Sequence, residues 1–339
     1  MSKKQIILAI ILISSVYAFE GISSELILNQ DGTLVFPISQ KMSDGTQCQY
    51  YVRPVIDYCS NIITETANQA VKCGNREIGQ NYFADGDDYT GNFLIGEKNI
   101  NLSFSIPNLG SVFNGQKILC FGFKYDGQQN AFTQLYHQVP KQQIFMSLPF
   151  QPSSNEIKGT IDIGDADISK TKNNVYPISL KSSGEAGYYS AYSNKDVQYG
   201  DYTLFSPRVV FVNVNSPFFL FSQFQIQDLL KAFTQQGIKY NYQPNKNHFI
   251  SVPSIENLKN LEINVVSSSS QPFKITILPS QYTAQLNNGE YQVLIGLATY
   301  MGSMTLSNRV FETYYIGFDF STKQILIAEK VNEQLQQQY

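Results

Sequence analysis

The chain is patterned for strands. β-branched, aromatic and other apolar residues alternate with polar ones, or run together briefly, over Leu26–Phe36, Asn92–Phe104, Gln116–Phe123 and Glu156–Ile163. The second half repeats the pattern over Arg208–Val214, Leu261–Val266, Phe273–Leu278, Tyr314–Phe320 and Gln324–Ala328. A period of two places one face of each segment in a core. Gly, Asn, Asp and Ser clusters separate the segments. One stretch has a helical period instead. Ile226, Leu229, Leu230 and Phe233 form a single apolar stripe, Ser222 and Gln225 make a capping box, and Gly237 stops the helix. A shorter helix is predicted over Asn130–Gln138. The pattern predicts an all-β protein with short helices and two β-rich halves, 19–167 and 168–330. The polar stretch Ser169–Asn174 is the hinge, and a Gln-rich flexible tail follows at 331–339.

The first 18 residues do not belong to that pattern. Lys3 and Lys4 precede an unbroken apolar run, Ile6–Ile13, and small residues at Val16 and Ala18 suit cleavage after Ala18. The run is far shorter than the about 20 residues that cross a bilayer. Residues 1–18 are therefore expected to be a signal peptide, which makes the mature chain secreted or lumenal with no membrane span.

Composition narrows the chemistry. Of 339 residues, 15% are charged and 13% aromatic, with a net charge of −3, so a phosphate-binding nucleic-acid surface is not expected. The two histidines, His137 and His248, lack a nucleophile elbow, and neither a P-loop nor a dinucleotide fingerprint is present. No metal site and no cofactor are expected. The acidic groups Asp85, Asp87 and Asp88 lack EF-hand spacing and read as a solvated turn. Secretion gives the four cysteines a disulfide reading. Three pairings are open, and Cys48–Cys59 with Cys73–Cys120 is preferred. Asn101-Leu102-Ser103 is a glycosylation sequon.

From about Gln80 to Lys330 the order of segments resembles the pepsin-like aspartic peptidases. Ala84–Gly91 is similar to the family's flap, and Ile118–Phe123 to its "GILGLG" strand. Phe132–Gln138, Gln143–Leu148 and Gly159–Asp167 match successive family segments, and the Ile226–Phe233 helix matches the one after the second catalytic loop. Leu306–Phe311 and Tyr314–Asp319 resemble the last family strands. The resemblance implies a bilobal pepsin-like fold with a long cleft and one D-[TS]-G-[ST] loop per lobe. The two Asp carboxyls share one proton, one acting as base for water and the other as donor to the scissile carbonyl.

Both loops depart from that motif. Counting back from the helix puts Asn213 at the second Asp position, in Asn213-Val214-Asn215-Ser216-Pro217, where only Ser216 fits. In the first lobe, Leu34-Val35-Phe36-Pro37 matches the family's "L.vP". An ungapped count from Pro37 reaches Leu28, and a loop shortened by one residue puts Asn29 at the Asp position, which is preferred. A rival alignment keeps Asp31-Gly32-Thr33 as a shortened loop. Either choice leaves about ten mature residues before the loop, so a truncated N-terminal lobe is expected. At the flap, Phe83 stands where the family has Tyr, with Tyr82 beside it.

The leading expectation is a monomeric pseudo-peptidase whose cleft binds a peptide or protein partner through Tyr82, Phe83, Thr33 and Ser216. Two alternatives stand beside it: a divergent endopeptidase using Asp31, and a structural or surface scaffold.

Overall fold

The computed structural model describes residues 19–41, 45, 47–56, 62–63, 71–73, 76–78, 88–105, 117–121, 131–135, 137–149, 157–178, 189–193, 195–266, 272–298 and 302–331. Strands dominate them, as the alternating pattern predicts. A central sheet joins the two halves of the chain. Its strands run in the order Tyr176–Ile178, Gln324–Glu329, Tyr314–Asp319, Gln143–Ser147, Ile157–Ile163, Ile22–Leu28. The sheet continues through Leu34–Lys41 and Gln47–Val55 into the rest of the first lobe. Three smaller sheets build the second lobe.

The apolar face of each strand goes to one continuous core. In Gln47–Val55 the buried and exposed positions alternate, with Cys48, Tyr50 and Val52 inward. In Leu261–Val266 they alternate again, with Leu261, Ile263 and Val265 inward. Tyr314–Asp319 is buried on both faces, because the central sheet is covered on both sides there. Its Tyr315 stacks on Phe145 with ring centroids 4.9 Å apart.

The helix Gln223–Gln235 has the predicted cap. The Ser222 Oγ accepts from the Gln225 N–H at 3.4 Å, and the Gln225 Oε1 accepts from the Ser222 N–H at 2.8 Å. Such a reciprocal cap stabilises a helix by about 1 kcal/mol. Ile226, Leu229 and Phe233 are buried along one side. The shorter helix spans Ala131–Leu135, less than expected.

Two expected strands are hairpins. Leu26–Phe36 divides into Ile22–Leu28 and Leu34–Lys41 around a turn at Asn29–Thr33. Asn92–Phe104 divides into Asp88–Ile95 and Lys98–Ser105 around Gly96, whose φ of +55° suits glycine. The strand Gln47–Val55 escaped the sequence reading altogether. Its Pro54 and two adjacent tyrosines obscure the alternation. With it in place, three antiparallel strands open the first lobe, and the expected truncation of that lobe is corrected.

Candidate functional site

The site is built by two strand pairs of the same design, one in each lobe. In the second lobe, Val209–Val212 runs parallel to Ser303–Leu306. The ladder ends where the Asn213 N–H donates to the Leu306 carbonyl at 2.9 Å. In the first lobe, Gln47–Val55 runs parallel to Lys117–Cys120, with Pro54 opposite Leu119 and Val55 opposite Cys120. That ladder continues where the Phe121 N–H donates to the Val55 carbonyl at 2.7 Å.

The second-lobe strand leads into Asn213-Val214-Asn215-Ser216-Pro217. Asn213 is half-buried, and its Oδ1 accepts from the Asn215 N–H at 2.9 Å, closing an Asx turn. An amide here carries no proton that can be lost or gained in the working pH range. Val214 is buried. The Asn215 Nδ2 donates across the lobes to the Pro54 carbonyl at 3.0 Å. The Ser216 Oγ accepts from the Phe218 N–H at 3.1 Å, and the Ser216 carbonyl accepts from the Asn308 N–H at 3.0 Å.

The Asn29–Thr33 turn lies against this loop. The expected position of Asn29, at the end of the first-lobe catalytic strand, is corrected: Asn29 opens a hairpin turn, and its N–H donates to the Thr33 carbonyl at 2.9 Å. The Asn29 Nδ2 donates to the Thr33 Oγ1 at 3.2 Å. Asp31, the rival, is also a turn residue. Its Oδ1 accepts from the Thr33 N–H at 2.9 Å and the Thr33 hydroxyl at 2.6 Å. These hydrogen bonds, with the hydroxyl first, hold the Asp31 carboxyl below the ordinary carboxylate range. Gly32 has φ +81°, and a Cβ there would come within 2.5 Å of the Pro217 Cγ, so the turn approaches the loop as only glycine allows.

Asn308 ties the two together. It is fully buried, and its Nδ2 donates to the Gly32 carbonyl at 2.7 Å and to the Val214 carbonyl at 3.3 Å. Sequence reasoning named Asn215 and Gly32 as loop positions but foresaw none of the contacts of Asn308, Asn215, Gly32 and Pro54. The Asp-Gly pair at 31–32 was the one available signal, since it marks a turn.

The Thr33 and Ser216 hydroxyls bond within their own turns. Tyr82, Phe83 and Cys59 lie outside the described residues, and so does the side chain of Cys73. Cys48 and Cys120 are buried, and no described cysteine is a free thiol. Asn101 sits exposed on the strand Lys98–Ser105. His137 is exposed, and the His248 Nδ1 shares a hydrogen bond with the Tyr242 hydroxyl at 2.7 Å. Among the described residues, no group of three or more His, Cys, Asp or Glu could hold a metal, and no helix is long and apolar enough to cross a membrane.

Close to the site, Glu312 is buried beside the guanidinium of Arg309. Burial pushes its carboxyl up to about 7, against the opposing pull of Arg309 and Lys330.

No protein-family model matches the sequence, and no curated protein matches it. Among solved structures, it is similar to the aspartic proteinase of Irpex lacteus, with a TM-score of 0.64 and 16% sequence identity. The similarity covers 91% of this chain and 97% of that one. The chain therefore has the all-β, bilobal fold of the pepsin-like aspartic proteinases.

Proposed function

We propose that this chain is a secreted pepsin-like protein whose cleft binds a peptide or protein segment without cutting it. The observation that carries the reading is Asn213. It ends the second-lobe strand where the fold's chemistry requires a carboxyl, and its amide can act neither as base nor as proton donor to a carbonyl.

The first-lobe partner of Asn213 is inferred from the ladders. In a parallel pair the bonds alternate in direction every second residue. The Asn213 N–H donates back to its neighbouring strand at the end of its ladder. In the first lobe the Val55 carbonyl has just accepted from Phe121, so the equivalent residue is two positions on, Asp57. Asp57 lies outside the described residues, and the sequence there reads Asp57-Tyr58-Cys59-Ser60. Its first and fourth residues fit D-[TS]-G-[ST]. This assignment replaces Asn29 and Asp31. The site then has one carboxylate and one amide, which is half of a dyad.

A cleft of this kind captures an extended peptide by strand-like pairing. The other parts of the reading follow from secretion. The lobes divide between residues 167 and 168, residues 1–18 are removed, the four cysteines pair, and Asn101 is glycosylated. The mature protein is a monomer. Intact mass of the chain exported from a eukaryotic host, with and without glycosidase and reductant, checks these features together.

The test of function is a peptide-cleavage assay on the mature chain from acid to neutral pH, run beside a binding assay with the same peptide library. Binding without turnover is expected. Pepstatin-sensitive turnover at a rate usual for active aspartic peptidases would overturn the reading. Absence of any ligand, with a partner set unchanged by a cleft-blocking substitution, would favour a scaffold instead.

A further inference from the structure

The junction of the lobes is made by two amide side chains, the buried Asn308 and the half-buried Asn215. Asn308 and Asn215 each spend their amide nitrogen on a first-lobe backbone carbonyl, that of Gly32 at 2.7 Å and that of Pro54 at 3.0 Å. The two carbonyls belong to different first-lobe elements, the Asn29–Thr33 turn and the end of Gln47–Val55. In both residues the amide oxygen is buried with no donor among the described residues. An apolar side chain would fill either space without stranding an acceptor, so packing does not account for the amides. Their donors do. Because each Nδ2 faces a carbonyl, the reverse orientation of the amide would set oxygen against oxygen, which fixes the assignment.

We propose that Asn308 and Asn215 are positioning residues that clasp the second-lobe loop to the first lobe through neutral donors, so that the loop geometry is the same at acid and neutral pH. The inference does not depend on whether the cleft binds a peptide.

The charged groups around Asn308 are few. Arg309 and Glu312 share its own 3-10 turn, and the Lys330 Nζ donates to the Glu312 carbonyl at 3.2 Å. From the first lobe come Asp31, in the turn that Asn308 contacts, and Arg53, whose positive charge helps hold the Asp31 carboxyl low. Asp57 follows next along the chain from the clasped strand. The loop Asn213–Pro217 carries no charge. None of these groups donates or accepts in the Asn308–Gly32 or Asn215–Pro54 bonds, and neither bond involves a titrating atom.

A carboxyl at position 308 separates a donor role from a packing role. Buried Asp has a raised pKa, and its protonated form keeps an O–H that can donate to the Gly32 carbonyl. The sign follows: the clasp of Asn308→Asp is present below the raised pKa and is lost as pH rises through it. Asn308→Ala has no donor at any pH.

The experiment uses the full mature chain, the wild type, Asn308→Asp and Asn308→Ala. Thermal midpoints are read as differences from wild type at each pH from about 4 to about 8. Hydrogen exchange is read in parallel at residues 29–33 and 213–217. Asn308→Asp should approach wild type at the acid end and fall several degrees below it at the neutral end. Its exchange at both segments should rise by at least about tenfold over the same interval. Asn308→Ala should show the loss and the fast exchange throughout. Should Asn308→Ala fail to fold, Asn308→Asp compared with wild type across the pH range decides alone. The proposal fails if Asn308→Asp shows no acid recovery, or if exchange at the two segments does not follow its stability.

Discussion

Two regions join the halves of this molecule, and they use opposite chemistry. In the central sheet the join is ionic. Asp162 is completely buried, and its carboxylate accepts from the Lys170 Nζ at 2.5 Å, the Ser23 Oγ at 2.6 Å and the Tyr315 hydroxyl at 2.8 Å. Those partners come from a 3-10 turn and from two strands that are distant in sequence. At the loop junction the join is neutral, through Asn215 and Asn308. A buried charge is tolerated where each carboxylate oxygen has a donor, as at Asp162. Burial against Asp162 also drives the Tyr315 hydroxyl far above its ordinary range, so it stays a donor. The loop junction offers mostly backbone carbonyls, which need donors, and there an amide serves where a carboxylate would be repelled. The difference teaches that charge was kept where the sheet could surround it, whereas the bonds between the loops are made by neutral groups.

The largest expected effect falls on the ionic side. Asp162→Ala leaves Lys170 without its buried partner and should lower stability by about 3–5 kcal/mol, read from urea unfolding. Asp162→Asn should cost less, because an amide oxygen can still accept from Ser23 and Tyr315. Equal losses for the two would show that the charge, and not the acceptor oxygens, carries the effect.

The next effect concerns the neutral side. Asn213→Asp places a carboxyl opposite the inferred Asp57. It should give acid-dependent, pepstatin-sensitive cleavage at least about 100-fold above wild type. Adding Asp57→Asn should remove it. No gain from Asn213→Asp would mean that the first-lobe carboxylate is not where the ladders put it.

Glu312 stands between the two regimes, since it is buried near the loop junction but ionisable. Its folded pKa of about 7 lies above the ordinary value, so its neutral form favours the fold. The cost of ionising it therefore grows as pH rises through the ordinary carboxylate range to about 7. Glu312→Gln should melt several degrees above wild type at about pH 8 and converge with it at about pH 4. A variant less stable at neutral pH would show that its ion contact with Arg309 outweighs burial.

The smallest effect is expected at Asp31. Its lowered pKa makes it stabilising above the ordinary carboxylate range, with loss as pH falls. It is solvent-exposed, so Asp31→Asn should cost only a few tenths of a kcal/mol. It should leave the activity of Asn213→Asp intact, whereas a catalytic Asp31 would abolish that activity.

Much of the architecture was legible in the chain. The Ser222–Gln225 cap, the stripe from Ile226 to Phe233 and the strands near both ends of the second lobe rest on local periodicity and local hydrogen bonding. The Asn213 assignment rests on the same kind of signal, because a helix with a clear start lies a short, countable distance after it. Asn29 was assigned by counting back from Leu34-Val35-Phe36-Pro37, but that segment is the second strand of the hairpin whose turn Asn29 opens. The Asp31-Gly32 pair announced a turn, but the alternation around it looked like one long strand. Gln47–Val55, which leads toward Asp57, was hidden by Pro54. Proline is tolerated there, although a sequence reading sets it against a strand.

The sequence by itself determined the all-β class, the capped helix and an amide at position 213, because each depends on residues within a few turns of one another. The tertiary structure decided which strands lead into the two loops. That depends on Val55 pairing with Cys120 and Val212 with Leu306, across 65 and 94 intervening steps of chain. Ladder register and the Asn308–Gly32 bond are set by packing between distant segments, and no local propensity encodes either.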